Sequence, residues 1–164
     1  MYRVPRLPHD EAMISAEPSV PCIVLDTNVC LDLFLFRDPA CASLLAALQG
    51  GAVRAVTRDD CRDEWLRVLH YPQLPIDAAT RPALAAAFDT LIRHLPRAQP
   101  APAGLARLPR CGDPDDQKFL ELALAAGARW LLSKDNELLK LDRRVHRAGL
   151  FRILLPQDWP AAMD

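Results

Sequence analysis

No stretch of this sequence is long and apolar enough to span a membrane. The nearest candidate, around Leu31–Phe36, is short and is interrupted by Asp32 and closed by Arg37. The opening MYRVPRLPHDEAMISAEP lacks the apolar run of a secretion signal. Its Pro5, Pro8 and Pro18, set among mixed charges, predict an irregular arm over residues 1–21. The five cysteines (Cys22, Cys30, Cys41, Cys61 and Cys111) are odd in number and contain no C-x-x-C pair. That excludes a disulfide scaffold and a zinc ribbon, and predicts buried or idle thiols in a reducing cytoplasm. There is no glycine-rich phosphate loop, no internal repeat, and no H-x3-H pair among His9, His70, His94 and His146. Charge of one sign is also lacking: the formal net charge is −1, so RNA binding would have to come from local patches.

What is present fits one α/β domain with a full core, over residues 22–164: 164 residues, 51% of them hydrophobic. Cys22–Leu25 (CIVL), Ala52–Val56, Arg129–Ser133 and Phe151–Leu154 read as short buried strands, and helical stretches lie between them. The predicted helices run over Val29–Phe36, over CASLLAALQ up to Gly50-Gly51, from a Thr57 cap to His70, over Ile76–Leu95 with a break near Pro82, from Asp113 to near Gly127, and over Leu138–Arg147. The segment Pro96–Arg110 carries four prolines and reads as a loop. Strands alternating with helices imply a parallel sheet covered on both faces. Trp65, Trp130 and Trp159 are most simply packing residues.

Acidic residues stand where such a sheet places its ligands, beyond the carboxyl ends of strands at the point where strand order reverses. Asp26 follows the first strand, and Asp135 stands two residues past Ser133. Asp113-Pro114-Asp115-Asp116 opens the helix leading into RWLLS, and Glu64 lies on the third helix beside Trp65, Val68 and Leu69. Converging carboxylate oxygens suit Mg²⁺ or Mn²⁺, which can activate water for phosphodiester cleavage. Each acid also has a structural reading. Asp113 is a natural N-cap ahead of Pro114, Asp115 and Asp116 suit a helix start, Asp26 can cap a helix, Asp135 can serve a turn, and Glu64 can be a solvated helix acid. Singly these readings compete; together, in this order along the chain, the acids point to a site.

Four segments, VLDTNV, DEWLRVLHYPQ, GDPDDQKFLELALAAGARWLLSKDNELL and FRILLPQDW, carry a resemblance to the PIN-domain family that runs from Cys22 to Trp159. It is closest to the bacterial, VapC-like toxin components of toxin–antitoxin systems. The resemblance implies a three-layer α/β/α fold with a five-stranded parallel sheet ordered 3-2-1-4-5. By motif position it implies catalytic acids at Asp26, Glu64, Asp116 and Asp135, with Asp113 as an extra acid that binds metal directly or through water. Thr27, Asn28, Ser133, Asn136 and Glu137 would shape the pocket. Asp116 is the third acid because it stands seven residues before Ala123; Lys134 departs from the small residue usual before the fourth acid, and can contact a phosphate. The resemblance further implies one or two divalent metals, an RNA substrate cut by activated water, homodimers and, for toxin members, an inhibiting antitoxin partner.

Lys134, Lys140, Arg143, Arg144, His146 and Arg147 cluster after the fourth acid and are candidates to track an RNA backbone, against the alternative of a solvated helix face. Two other functions compete with the nuclease. A catalytically inactive PIN-fold binding module is disfavoured by the intact acids. A receiver-like or phosphatase-like domain leaves Glu64 and the DPDD helix unexplained, and Asn28 stands where such phosphatases want a second Asp.

Overall fold

The structure, a computed structural model, describes residues 19–96 and 107–163. The predicted arm, up to residue 18, and most of the proline-rich loop therefore lie outside the described residues. Five parallel strands form one sheet in the order β3-β2-β1-β4-β5: β1 (Cys22–Leu25), β2 (Arg54–Thr57), β3 (Ile92–His94), β4 (Trp130–Leu132) and β5 (Arg152–Leu154). β1 is central because both its faces are buried: Ile23 and Val24 point to opposite sides and neither is exposed.

Ile23 and Leu25 belong to one apolar layer, with Leu44 of α2 (Ala42–Gln49), Trp65 and Leu69 in and just after α3 (Asp59–Val68), Phe88 of α4 (Thr80–Leu91) and Trp159 of α8 (Trp159–Ala162). Val24 and Val56 belong to the other, with Phe119, Leu120 and Ala123 of α5 (Gln117–Ala125), Leu138 of α6 (Asn136–Leu139) and Val145 of α7 (Asp142–Arg147). Alternation along the strands thus sorts the helices onto two faces. In the first layer Trp65 stacks on Phe88, with ring centroids 5.3 Å apart, and both touch Phe34. Trp65→Ala is expected to cost about 3–5 kcal/mol, read as a lower urea midpoint; an unchanged midpoint would mean the ring carries no packing load.

Several boundaries differ from expectation. Ile76–Leu95 is not one helix: α4 holds Thr80–Leu91, Pro82 sits harmlessly in its first turn, and Ile92–His94 turns into the edge strand β3. Ile92 finds ladder partners on β2, opposite Ala55, and tertiary pairing outweighs the helical composition before it. Thr57 does not cap α3; it ends β2, and Arg58 occupies the cap position ahead of Asp59 and Asp60. The first helix starts earlier than predicted, as α1 (Thr27–Cys30), and continues as a π-helical stretch, Leu31–Phe36, that stops at left-handed Arg37 (φ 48°). The cysteines are free, and all but half-buried Cys22 are buried.

Candidate active site

Beyond β1 and β4 the chain delivers Asp26 and the segment Ser133–Asp135 side by side. Leu25 lies opposite Leu132, and the Asp26 amide donates to the Leu132 carbonyl at 2.9 Å. This is the reversal point of the strand order, where β1 runs to β2 on one side and β4 on the other. Ser133, fully buried, ties the two ends together. Its hydroxyl donates to Asp26 Oδ2 at 2.6 Å and accepts from the Asp135 amide at 2.9 Å. Asn28 clamps the same corner, donating to Asp26 Oδ2 (3.2 Å) and accepting from the Lys134 amide (3.3 Å).

Asp113, Asp116 and Asp135 each bring a carboxylate oxygen into one group whose atoms all lie within 4.8 Å of one another. Asp113 caps the short 3-10 turn Pro114–Asp116 by accepting from the Asp115 amide, and Asp135 caps α6 by accepting from the Glu137 amide. One carboxylate can do both jobs, because a cap uses one oxygen and leaves lone pairs for a cation. The structural and functional readings of these acids are therefore compatible. Asp26, buried and close enough for its charge to act on Asp116, lines the same crevice of about 320 Å³ with Thr27, Asn28, Tyr71, Asp116 and Asp135.

Crowding shows in the acidities. Burial, then the hydrogen bond with Asp135, then the charges of Asp26, Asp113 and Asp135 push the Asp116 carboxyl up to about 8. Burial also raises Asp26 to about 6, with a push from Glu64 and Asp135, although the Ser133 hydroxyl pulls the other way. Like charges packed this closely keep a proton unless a cation replaces it. An all-oxygen donor set that holds protons for want of positive charge fits a hard divalent ion.

Glu64 reaches the site from α3 by a different route. It accepts from the Thr27 hydroxyl and from Lys118 Nζ, the latter at 3.0 Å with both side chains largely buried. Lys118 also donates to the Asp115 carbonyl at 2.6 Å. Sequence reasoning passed over Lys118, since one lysine near a helix start looks like any solvated cation; only its distance from Glu64 marks it. Tyr71, which lines the crevice, was also missed, since nothing in its local sequence sets it apart.

The other expected residues divide. Lys134 Nζ pairs with buried Asp32 at 2.7 Å, and Lys140 pairs with Glu137 at 2.6 Å. Asn136 is exposed at the start of α6, and Glu137 folds against Gly112, where its carboxylate leaves no room for a Cβ. Arg143, Arg144, His146 and Arg147 are exposed along α7. His146 lines a cleft with Arg129, Trp130 and Arg152, at the amino ends of β4 and β5. The far end of α7 is thus away from the acids.

A doubly covered parallel sheet with carboxylates gathered past its central strands defines an α/β domain of the acidic-site, nuclease type. The chain belongs to the PIN-domain family, whose model matches residues 22–137. PIN domains are generally metal-dependent nucleases that act on RNA. β5 lies beyond the match and completes the same sheet against β4. No curated protein matches the chain.

Proposed function

We propose that this protein is a Mg²⁺- or Mn²⁺-dependent endoribonuclease. The observation that carries the reading is the group of Asp113, Asp116 and Asp135 oxygens within 4.8 Å, with proton-holding Asp116 at its centre. In this reading Asp113, Asp116 and Asp135 hold the cation, with Asp26 alongside on the rigid central strand and Glu64 at the wall. A divalent ion bound there supplies Lewis acidity and a hydroxide at neutral pH. The protein's own part is to fix the oxygens. Ser133 and Asn28 orient Asp26, the Ser133 hydroxyl also holds the Asp135 backbone, and Thr27 with Lys118 holds Glu64. Preorganised groups need not rearrange as the phosphodiester reacts.

The test is cleavage of a labelled single-stranded RNA during Mn²⁺ and Mg²⁺ titration. Activity should appear with metal, vanish in EDTA, and fall at least about 100-fold in Asp26→Asn, the loss expected for several kcal/mol of lost stabilisation. RNA cut equally fast by Asp26→Asn, or in EDTA, would refute it. RNA bound but never cut would favour the inactive binding module.

Resemblance alone supports three finer proposals, that the protein acts as a toxin component, that an antitoxin partner inhibits it, and that it forms a homodimer; the cysteine pattern supports a fourth, a reducing cytoplasm as its place of action. Induced expression should then arrest growth of a bacterial host, and Asp26→Asn should not. Arg143, Arg144 and Arg147 are proposed RNA contacts; replacing them together should weaken RNA binding and flatten its salt dependence.

A further inference from the structure

A cleft of about 650 Å³, larger than the acidic crevice, opens at the other end of the sheet, and among the described residues no carboxylate lines it. Its charged residues are Arg54, Arg93 and Arg129. Strand register puts Arg54 and Arg93 on the face covered by α5, and Arg129, just before β4, lines the same cleft with its guanidinium against Trp130. Arg54 lies opposite Cys22, the Arg129 amide donates to the Cys22 carbonyl at 2.8 Å, and Arg93 lies opposite Val56, whose side chain is in the α5 layer. All three are exposed, and none forms an ion pair among the described residues. By contrast Arg58, Arg62 and Arg152 each hold a carboxylate.

We propose that this cleft is a second nucleic-acid site, which grips the phosphodiester backbone of single-stranded RNA away from the acids. Arg54 and Arg129 flank β1 from the two neighbouring strands, so their Cα atoms are roughly 10 Å apart. Guanidinium groups bind phosphate oxygens in pairs, and Arg129 is steadied over the Trp130 ring at 4.7 Å. The carboxyl end of α5, at Ala125 and Ala126, brings about half a negative charge to the cleft, against three full positive ones. The balance favours an anion. Among the described residues no aromatic side chain lines the cleft, so the described lining offers charge without a stacking platform and points to a grip on the backbone independent of sequence. An acidic peptide would meet the same charges, but its carboxylates alternate between the two sides of an extended chain, whereas a nucleic-acid backbone carries a charge on every unit. The acids stand at the other end of α5, whose nine residues span about 13 Å. A strand of a few nucleotides can therefore reach both. His146 lines a neighbouring cleft together with Arg129.

The test is anisotropy of a fluorescent 12-nucleotide oligouridylate with the full chain in EDTA from 50 to 200 mM KCl, which reads binding whether or not the protein cleaves. Arg54→Gln, Arg93→Gln and Arg129→Gln combined should weaken binding about tenfold or more at 50 mM and lower the log–log salt slope by about 2, three phosphates at roughly 0.7 each. An unchanged affinity and slope would overturn the proposal, as would poly-glutamate binding the parent as tightly as the RNA. In the parent, oligouridylate should shield these arginines from phenylglyoxal, a readout independent of how the variant folds; equal labelling with and without RNA would also overturn it.

Discussion

Asp116→Asn is expected to yield a protein that melts at a higher temperature than the parent in EDTA at pH 8, yet no longer cuts RNA. The reason lies in the proton that Asp116 keeps. Its folded carboxyl ionises near 8, against an ordinary value of 3.8. A group whose folded value is raised binds more protons in the folded state than in the unfolded one between those values, so stability falls as pH climbs from about 4 to about 8. Asp26, raised to about 6, adds a loss on the order of 3 kcal/mol over the lower part of that window. The amide in Asp116→Asn carries no charge to desolvate and can still donate to Asp135. The gain should be a few kcal/mol at pH 8, or on the order of 5–10 °C for a chain of this size, and should shrink towards pH 5. Cleavage should fall by about 10²–10³, because the central oxygen donor is gone. Mn²⁺ should raise the parent's melting temperature most at pH 8, where it replaces the proton, and should do little for the variant. A parent whose metal-free stability is flat from pH 5 to 8 would contradict the crowding that the site is built on.

Lys118→Met should act in the opposite direction. The Lys118–Glu64 pair is largely buried, at 15% and 17% side-chain exposure, and its 3.0 Å contact is charge-assisted. Removing the ammonium leaves Glu64 with the Thr27 hydroxyl as its remaining hydrogen-bond partner among the described residues, and with its negative charge close enough to act on Asp26. Breaking such a pair from one side costs about 3 kcal/mol. The metal-free melting temperature should drop by about 5–10 °C. Two further results separate this from generic damage. Glu64→Gln combined with Lys118→Met should recover most of the loss, since the orphaned charge is then gone. Mn²⁺ should also bind Lys118→Met more tightly than the parent, because a competing cation has been withdrawn. A double variant as unstable as the single one would show that Lys118 matters for packing instead.

The parts of the fold that were legible in the chain are those encoded by neighbours. CIVL and RWLL announce buried parallel strands because both their faces must be apolar, and the acids just past them follow from where such strands end. Asp113 was visible as a cap and Asp135 as a turn residue, both also as candidate ligands; the structure makes each a helix cap and puts cap and cluster on the same carboxylates. Ile92–His94 was not legible, since three residues after a helical run cannot display a strand period. The basic residues of α7 follow Asp135 in sequence and were read as candidates to track an RNA backbone, but their place on the sheet was not legible. A helix returning along a parallel sheet carries its last turn to the opposite end, and His146 is found there beside Arg129.

Local patterning, then, settled four of the five strands, most of the helices and the roster of acids, because hydrophobic period, capping chemistry and charge are properties of adjacent residues. Which acids share a cation, which lysine neutralises Glu64, and which arginines meet in one cleft depended on contacts across 54 to more than 100 residues of chain, such as Lys118 to Glu64 and Ser133 to Asp26. Those contacts are fixed by strand order and register. Order and register come from how the two apolar layers close over the sheet, a property of the packed chain as a whole.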